Sequence, residues 1–231
     1  MPSEELPYRQ YTRSLLRTGY RATWLPGETM ELGAIGFLKD GLFDQRARLR
    51  DFGISFAAKA GTGRTGFEYQ SSTGVKTSYK AAGEPSAVFR GVGVGSAGVR
   101  FEFSRLGAVV FSAPNCEITE IDNKRALERK LRSAHDWDMG WVVITKVVKA
   151  HSATILLSGS SEAFVELRAS ASAAPGGFDL ADVAVGFSRA RASGMAVNLV
   201  AQGRLTPLYE AFRMRQPALT RDPRKRRLER A

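Results

Sequence analysis

Trp141-Val142-Val143-Ile144-Thr145-Lys146-Val147-Val148 is the stretch of sequence that decides the fold. It is apolar on nearly both faces, and strands of that kind are buried in the middle of a sheet. We therefore place it centrally. Further candidate strands follow downstream, at 153–158, 162–169, 181–190 and Met195 to Gln202.

Several other segments alternate between apolar and polar residues, as half-exposed strands do. The apolar residues that share one face are Val99, Phe101 and Phe103 in one segment, Val165 and Leu167 in a second, and Val183, Val185 and Phe187 in a third. Upstream, Asp40-Gly41 lies between two short apolar runs and predicts a tight hairpin. Residues 57–83 are rich in Gly, Ser, Thr and Lys and predict long loops or weakly patterned strands.

Three segments predict short helices. They run from about Tyr8 to Thr18 with Gly19 as the stop, from Ala126 to Ala134, and from Thr206-Pro207 towards Arg215. Thr and Pro are favoured at the N-cap and at the first helical position, which supports the third helix.

The first helix carries cations on one face. Tyr11 and Leu15 belong to an apolar stripe, whereas Arg9, Arg13 and Arg17 repeat every four residues on nearly the opposite face. Like charges at this spacing repel each other by a few tenths of a kcal/mol. The row of arginines is therefore either an ordinary solvated face or a surface that binds an anion, and we favour anion binding.

Together these elements predict an α+β fold, with a twisted, mainly antiparallel sheet, a few short helices and a basic C-terminal tail. Residues 1–216 are expected to form a single domain. Residues 217–231 hold six Lys or Arg against Asp222 and Glu229, and are expected to form an exposed or loosely docked tail.

Composition limits the functional classes. The net charge of +11 favours phosphate-bearing partners, on nucleic acid or on anionic lipid, although simple solubility would also account for it. With one Cys and two His, neither an intrachain disulfide nor a structural zinc cluster is expected. The first residues lack the pattern of a signal peptide, and no apolar run is long enough for a transmembrane helix, so we expect a cytoplasmic protein.

Motifs that indicate catalysis or a cofactor are weak. Two stretches, 61–66 and 93–98, match G-x-G-x-x-G, but neither precedes a helical pattern, so both are interpreted as loop glycines. His135, Asp136 and Asp138 lie in a polar connector, and Cys116 has no adjacent cation. We therefore expect no enzyme, no metal site and no cofactor.

The order of these elements resembles the pore-forming domain of gasdermins. The local match is Trp141 to Val147, which is similar to the aromatic-Val-Val-Thr-Glu-Val strand of that family, with Lys146 at the position of the acid. The resemblance implies a soluble protein that becomes an oligomeric pore on the inner face of the membrane after a protease removes a C-terminal segment.

Carried onto this sequence, the resemblance implies two membrane hairpins, at about 86–112 and 153–190. The basic helix, with Arg9, Arg13 and Arg17, would face anionic lipid, and the removable segment would be the tail after Gln216.

The alternative is a noncatalytic module that binds nucleic acid or an acidic protein. Fragments such as Phe89-Arg90, Arg100-Phe101 and Phe187-Ser188-Arg189 favour it, because sheet-based readers stack bases on aromatic side chains.

Overall fold

The computed structural model of the chain describes residues 7–24, 27–169, 187–216 and 227–231. Two α-helices and twelve strands are found in these ranges. The helices are α1 (Pro7–Leu15) and α2 (Lys124–Arg132). The strands are β1 (Arg21–Ala22), β2 (Ala34–Lys39), β3 (Leu42–Arg48), β4 (Ala58–Gln70), β5 (Val75–Lys80), β6 (Gly98–Phe103), β7 (Val109–Ile121), β8 (Val142–Ser158), β9 (Phe164–Ala169), β10 (Phe187–Ser193), β11 (Met195–Arg215) and β12 (Arg227–Arg230).

The strands form two sheets, and the pairs within them are antiparallel. In the large sheet, β8 pairs with β11 on one side and with β2 and β7 on the other. The small sheet has the order β10-β9-β6-β5. The central position expected for 141–148 is confirmed, and the strand continues to Ser158, so the separate candidate at 153–158 is part of it.

Both faces of the large sheet are covered near the C-terminal end of β8. Ile155 and Leu157 pack with Tyr11 and Leu15 of α1, whereas Leu156, between them, packs against the small sheet. Alternate residues of a strand point to opposite faces. The large sheet is therefore a middle layer, with α1 on one side and the small sheet on the other.

Local sequence signals account for several elements. Asp40 and Gly41 have φ values of 55° and 89° and join β2 to β3 through a two-residue turn, as the hairpin prediction requires. Gly19, with φ of 84°, ends the 3₁₀ turn that follows α1. The helix expected at 126–134 is α2, and Asn123 caps it by accepting a hydrogen bond from the Ala126 N–H.

Three expectations are wrong in detail. The helix predicted from Thr206-Pro207 is part of β11. Residues 57–83 contain two strands, β4 and β5, as one of the two alternatives for this stretch predicted, but the glycines at 61–66 lie within β4, so their interpretation as loop glycines is wrong. Of the expected tail, residues 227–230 form β12 and pair with Phe212–Arg215 of β11, while 217–226 lie outside the described residues.

Candidate functional site

Helix α1 is anchored by its apolar stripe and presents its cations outward. Tyr11 and Leu15 are fully buried, and the Trp24 ring meets the Tyr11 ring edge-on, with centroids 5.8 Å apart. Arg13 and Arg17 are exposed on the opposite side. The amphipathic arrangement expected for this helix is therefore present.

A cavity of about 240 Å³ lies beside α1. Three arginines reach it, Arg9 and Arg13 from α1 and Arg21 from β1. The other lining residues are Thr12, Leu16, Ala22, Asp40 and Gly41. Arg17 follows the helix in the 3₁₀ turn and is not among the lining residues. The structure thus brings two of the three predicted arginines together and adds Arg21, which the periodicity of the helix could not reveal.

The arginines differ in their surroundings. Arg9 lies 2.8 Å from the Asp40 carboxylate, and hydrogen bonding to Tyr8 and to Asp40 raises the pKa of Arg9. Arg21 is half-buried, and that burial lowers its pKa, but an arginine remains charged at neutral pH. Its Nε donates a hydrogen bond of 2.8 Å to the Ala231 oxygen. The cavity is therefore cationic, with one carboxylate at its edge and the end of the 227–231 segment alongside.

The helix also touches the turn between β6 and β7. A Cβ placed on Gly107 would lie 2.6 Å from Gln10 Oε1, so the Gln10 side chain of α1 lies directly against this turn. The preceding residue, Leu106, is 46% exposed, as is Leu16 of the cationic cavity. One exposed leucine thus lines the cationic cavity, and another lies in the turn that touches α1.

The residues expected in membrane hairpins lie together in the core between the sheets. They are Val99, Phe101 and Phe103 of β6, Val165 and Leu167 of β9, and Phe187 of β10, and each is at least 94% buried. Val183 and Val185 lie outside the described residues. In this conformation the apolar faces of the small sheet are covered by Val110 and Leu156 of the large sheet.

The other face of the small sheet holds a buried charge network that the sequence did not indicate. Glu166 of β9 is fully buried and pairs with Arg100 of β6, which also lies 3.1 Å from Glu102. The second carboxylate oxygen of Glu166 accepts a hydrogen bond of 2.7 Å from the Gly91 N–H. The Arg100 guanidinium also lies 4.2 Å from the centre of the Phe164 ring.

Lys80 of β5 binds the segment 91–96, which begins at Gly91 and lies over the same face of the small sheet. The residue is 3% exposed, and its ammonium group donates to the carbonyls of Gly93, Val94 and Ser96 at 3.1, 3.3 and 2.8 Å. Together with the Glu166 contact to Gly91, these bonds hold residues 91–96 over the sheet. We call Lys80, Arg100 and Glu166 the polar lock.

Lys146, on the central strand, belongs to a second charge network. Its Nζ lies 3.3 Å from Glu120 and 3.6 Å from Glu210. Burial lowers the pKa of Lys146, but the neighbouring Glu210 and Glu120 outweigh it, and the net effect is a raised pKa. Arg230 of β12 also lies 3.1 Å from Glu210, so this network helps to attach β12.

The structure also locates the residues that the sequence offered as candidates for catalysis, metal binding or base stacking. Cys116 is buried, its Sγ donates to the Ala113 carbonyl, and burial raises the pKa of the thiol to about 12. Asp138 accepts a hydrogen bond from the Gly140 N–H in a turn. Phe89, Phe101 and Phe187 are at least 94% buried, so they cannot stack on bases in this conformation.

Within the described ranges, no group of three or more His, Cys, Asp and Glu is placed to hold a metal ion. No helix of the same part of the chain is long and apolar enough to cross a bilayer. Comparison with known proteins adds no assignment, because neither a family model nor a curated protein matches the chain.

Proposed function

We propose that this chain is a gasdermin-like, pore-forming effector that stays soluble until activated and then oligomerises on the anionic inner face of a membrane. The observation that carries the proposal is the contact between α1 and the β6–β7 turn. Through it, the helix that contributes Arg9 and Arg13 to the cationic cavity touches the tip of the first candidate hairpin, where Leu106 is exposed.

The composition of the cavity suits a lipid headgroup. Guanidinium groups bind phosphate oxygens with paired hydrogen bonds. Basic residues near an anionic leaflet contribute about 1 kcal/mol each. Leu16, at the edge of the cavity, can enter the interface while Arg9, Arg13 and Arg21 remain at the level of the phosphates. The helix would therefore bring the hairpin tip to the bilayer surface.

The small sheet has the alternation that a membrane barrel requires. Val99, Phe101 and Phe103 would face lipid, whereas Arg100 and Glu102 would face the lumen. A membrane-spanning strand needs about 9 to 11 residues, and β6 has six. The segment 91–97 must therefore join β6, which requires the polar lock to open.

Residues 227–231 supply a means of control. They occupy an edge of β11, and Ala231 accepts the hydrogen bond from Arg21 at the cationic cavity. Cleavage after Gln216 would release this segment. It would free both the strand edge, for pairing between copies, and the Arg21 side chain, for an anion.

Dye release from lipid vesicles tests the proposal. A site-specific protease sequence placed within 217–226 allows the same preparation to be assayed before and after cleavage. We expect release from phosphatidylglycerol vesicles only after cleavage, and little release from phosphatidylcholine vesicles. Intact vesicles after complete cleavage, together with salt-sensitive binding to DNA or RNA, would instead support the nucleic-acid module.

A charge-reversal variant tests the role of the helix. Arg13→Glu should weaken binding to phosphatidylglycerol vesicles by at least roughly tenfold, since one cation is removed and one anion is added. Arg125→Glu, on the exposed surface of α2, makes the same charge change away from the cavity and should bind like the parent chain. A sharp fall in melting temperature in Arg13→Glu would show that the residue is structural.

A further inference from the structure

A second cavity lies where the central strand loses regular pairing on both sides. The pairing of β7 with β8 includes Ser112 with Thr154 and resumes at Glu117 with Lys149, on the far side of Pro114 and Asn115. Proline has no N–H to donate, and Asn115 has a φ of 52°, which is left-handed. The regular ladder is therefore interrupted around His151 on this side.

The opposite side of β8 is irregular at the same level. Gln202 pairs with Ser152 and Leu205 with Ala150, so two residues of β11 stand against His151 alone. One of them, Gly203, has a φ of 138°. Bulges of this kind re-aim side chains and are frequent next to binding sites. His151 thus lies between two breaks in the sheet.

A cavity of about 440 Å³ opens at this point, and we call it the β8 pocket. Its apolar floor includes Ala150 and Leu205, which are 3% and 6% exposed. Thr206 fixes one wall, because its hydroxyl donates to the Glu28 carbonyl and accepts from the Met30 N–H. The volume lies within the range of small-molecule sites, roughly 300 to 1,000 Å³.

The rim of the β8 pocket is cationic. Lys149, His151 and Arg204 are exposed there, and none of them has an ion pair within the part of the chain that the structure describes. The one rim carboxylate, Glu117, lies 3.9 Å from Arg64. Among the described lining residues, two cations and a histidine therefore stand around the pocket against one carboxylate.

We propose that the β8 pocket binds an amphiphilic anion, in which a carboxylate or phosphate group is joined to a short apolar tail. Lys149 and Arg204 bind the anionic group, and the tail fills the volume that lies against Ala150 and Leu205. An inorganic anion would fill only a small part of the 440 Å³ volume, and a neutral apolar molecule would leave the cations without a partner. The chemistry of the pocket requires both parts of the ligand.

Titration of the full chain with octyl phosphate or octanoate, below their micelle concentrations, tests this proposal. Calorimetry measures affinity, and NMR of the His151 ring reports on the pocket itself. The chain has only two histidines, so His135→Gln assigns the signals. We expect saturable shifts of the His151 signal, with inorganic phosphate and octyltrimethylammonium each at least about tenfold weaker.

Two rim variants locate the site. Lys149→Glu and Arg204→Glu should each weaken octyl phosphate binding by about tenfold or more, since a charge-assisted hydrogen bond is lost. Arg125→Glu should bind like the parent chain. Both rim residues are exposed, so the variants are expected to fold, which unfolding curves would verify.

Vesicles containing phosphatidylglycerol distinguish a membrane lipid from a free amphiphile. If vesicle binding falls in Lys149→Glu and Arg204→Glu but stays unchanged in Arg125→Glu, the same chemistry belongs to a lipid headgroup and its chains. Equal octyl phosphate affinity in the parent and both rim variants, or equal affinity for inorganic phosphate and octyl phosphate, would overturn the proposal.

Discussion

Glu166→Ala should destabilise the protein by about 3 kcal/mol, because it opens the polar lock. The side chain is fully buried, and its carboxylate receives both the Arg100 guanidinium and the Gly91 N–H. Removing one partner of a buried ion pair costs about 3 to 5 kcal/mol. Glu102 remains 3.1 Å from Arg100, which places the expected loss at the lower end of that range.

Urea unfolding measures this loss, and hydrogen exchange locates it. The Gly91 amide should exchange faster in Glu166→Ala than in the parent chain, since its hydrogen-bond acceptor is gone. Glu102→Ala is the matched control. It removes a carboxylate from the same Arg100 contact, but that side chain is 36% exposed and should cost at most about 1 kcal/mol. If the two variants lose the same stability, the buried pair does not hold the segment and the reasoning fails.

Two further predictions concern packing and burial. Gly36→Ala should destabilise the protein by roughly 1 to 3 kcal/mol, because a Cβ there would lie 2.0 Å from the Asp44 carbonyl oxygen of β3. Gly63→Ala in β4 is the control, and it should be neutral or slightly stabilising because a Cβ there would meet nothing within 4 Å. The denaturant midpoints of the two variants test this difference. Because burial raises the pKa of Cys116 to about 12, its thiol stays protonated at pH 8, with on the order of a thousandfold less thiolate than in the unfolded chain. Native protein should then react with an aromatic disulfide reagent far more slowly than protein in urea, and fast labelling of the folded state would contradict the burial argument.

The sequence predicts the elements whose local signal agrees with their surroundings. Strand β8 is apolar on both faces, Asp40-Gly41 adopts the left-handed turn that suits it, and Tyr11 and Leu15 form the buried stripe of α1. In each case side-chain type and backbone preference act in the same direction.

The helix predicted at Thr206 fails because tertiary contacts replace the N-cap. The Thr206 hydroxyl bonds to the 28–30 segment instead of to its own backbone. Pro207 lies at an irregular part of β11, between the pairs of Leu205 and Leu208, where a strand tolerates a missing N–H. Residues 205–211 are buried on both faces, so strand alternation is absent there.

The polar lock could not be predicted, because its partners are far apart in sequence. Glu166 alternates with Val165 and Leu167, so the pattern places it on the solvent side of a half-exposed strand. It is buried because residues around Gly91 pass over it, 75 positions earlier in the chain. The same holds for Arg21, whose role depends on Asp40 and Ala231.

The energetic demand of the proposed pore follows from these contacts. The apolar face of the small sheet already excludes water, so exchanging Val110 and Leu156 for lipid chains costs little transfer free energy. The main free-energy cost of insertion arises on the opposite face, where Arg100, Glu166 and Lys80 would have to leave their present partners. Facing a water-filled lumen, these charges would regain hydration, which offsets the lost pairs. Under the proposed function, the polar lock therefore sets the barrier to insertion, and Glu166→Ala should release dye from vesicles faster than Glu102→Ala after cleavage. A slower or equal rate would place the barrier elsewhere, in the contacts that 227–231 makes with β11.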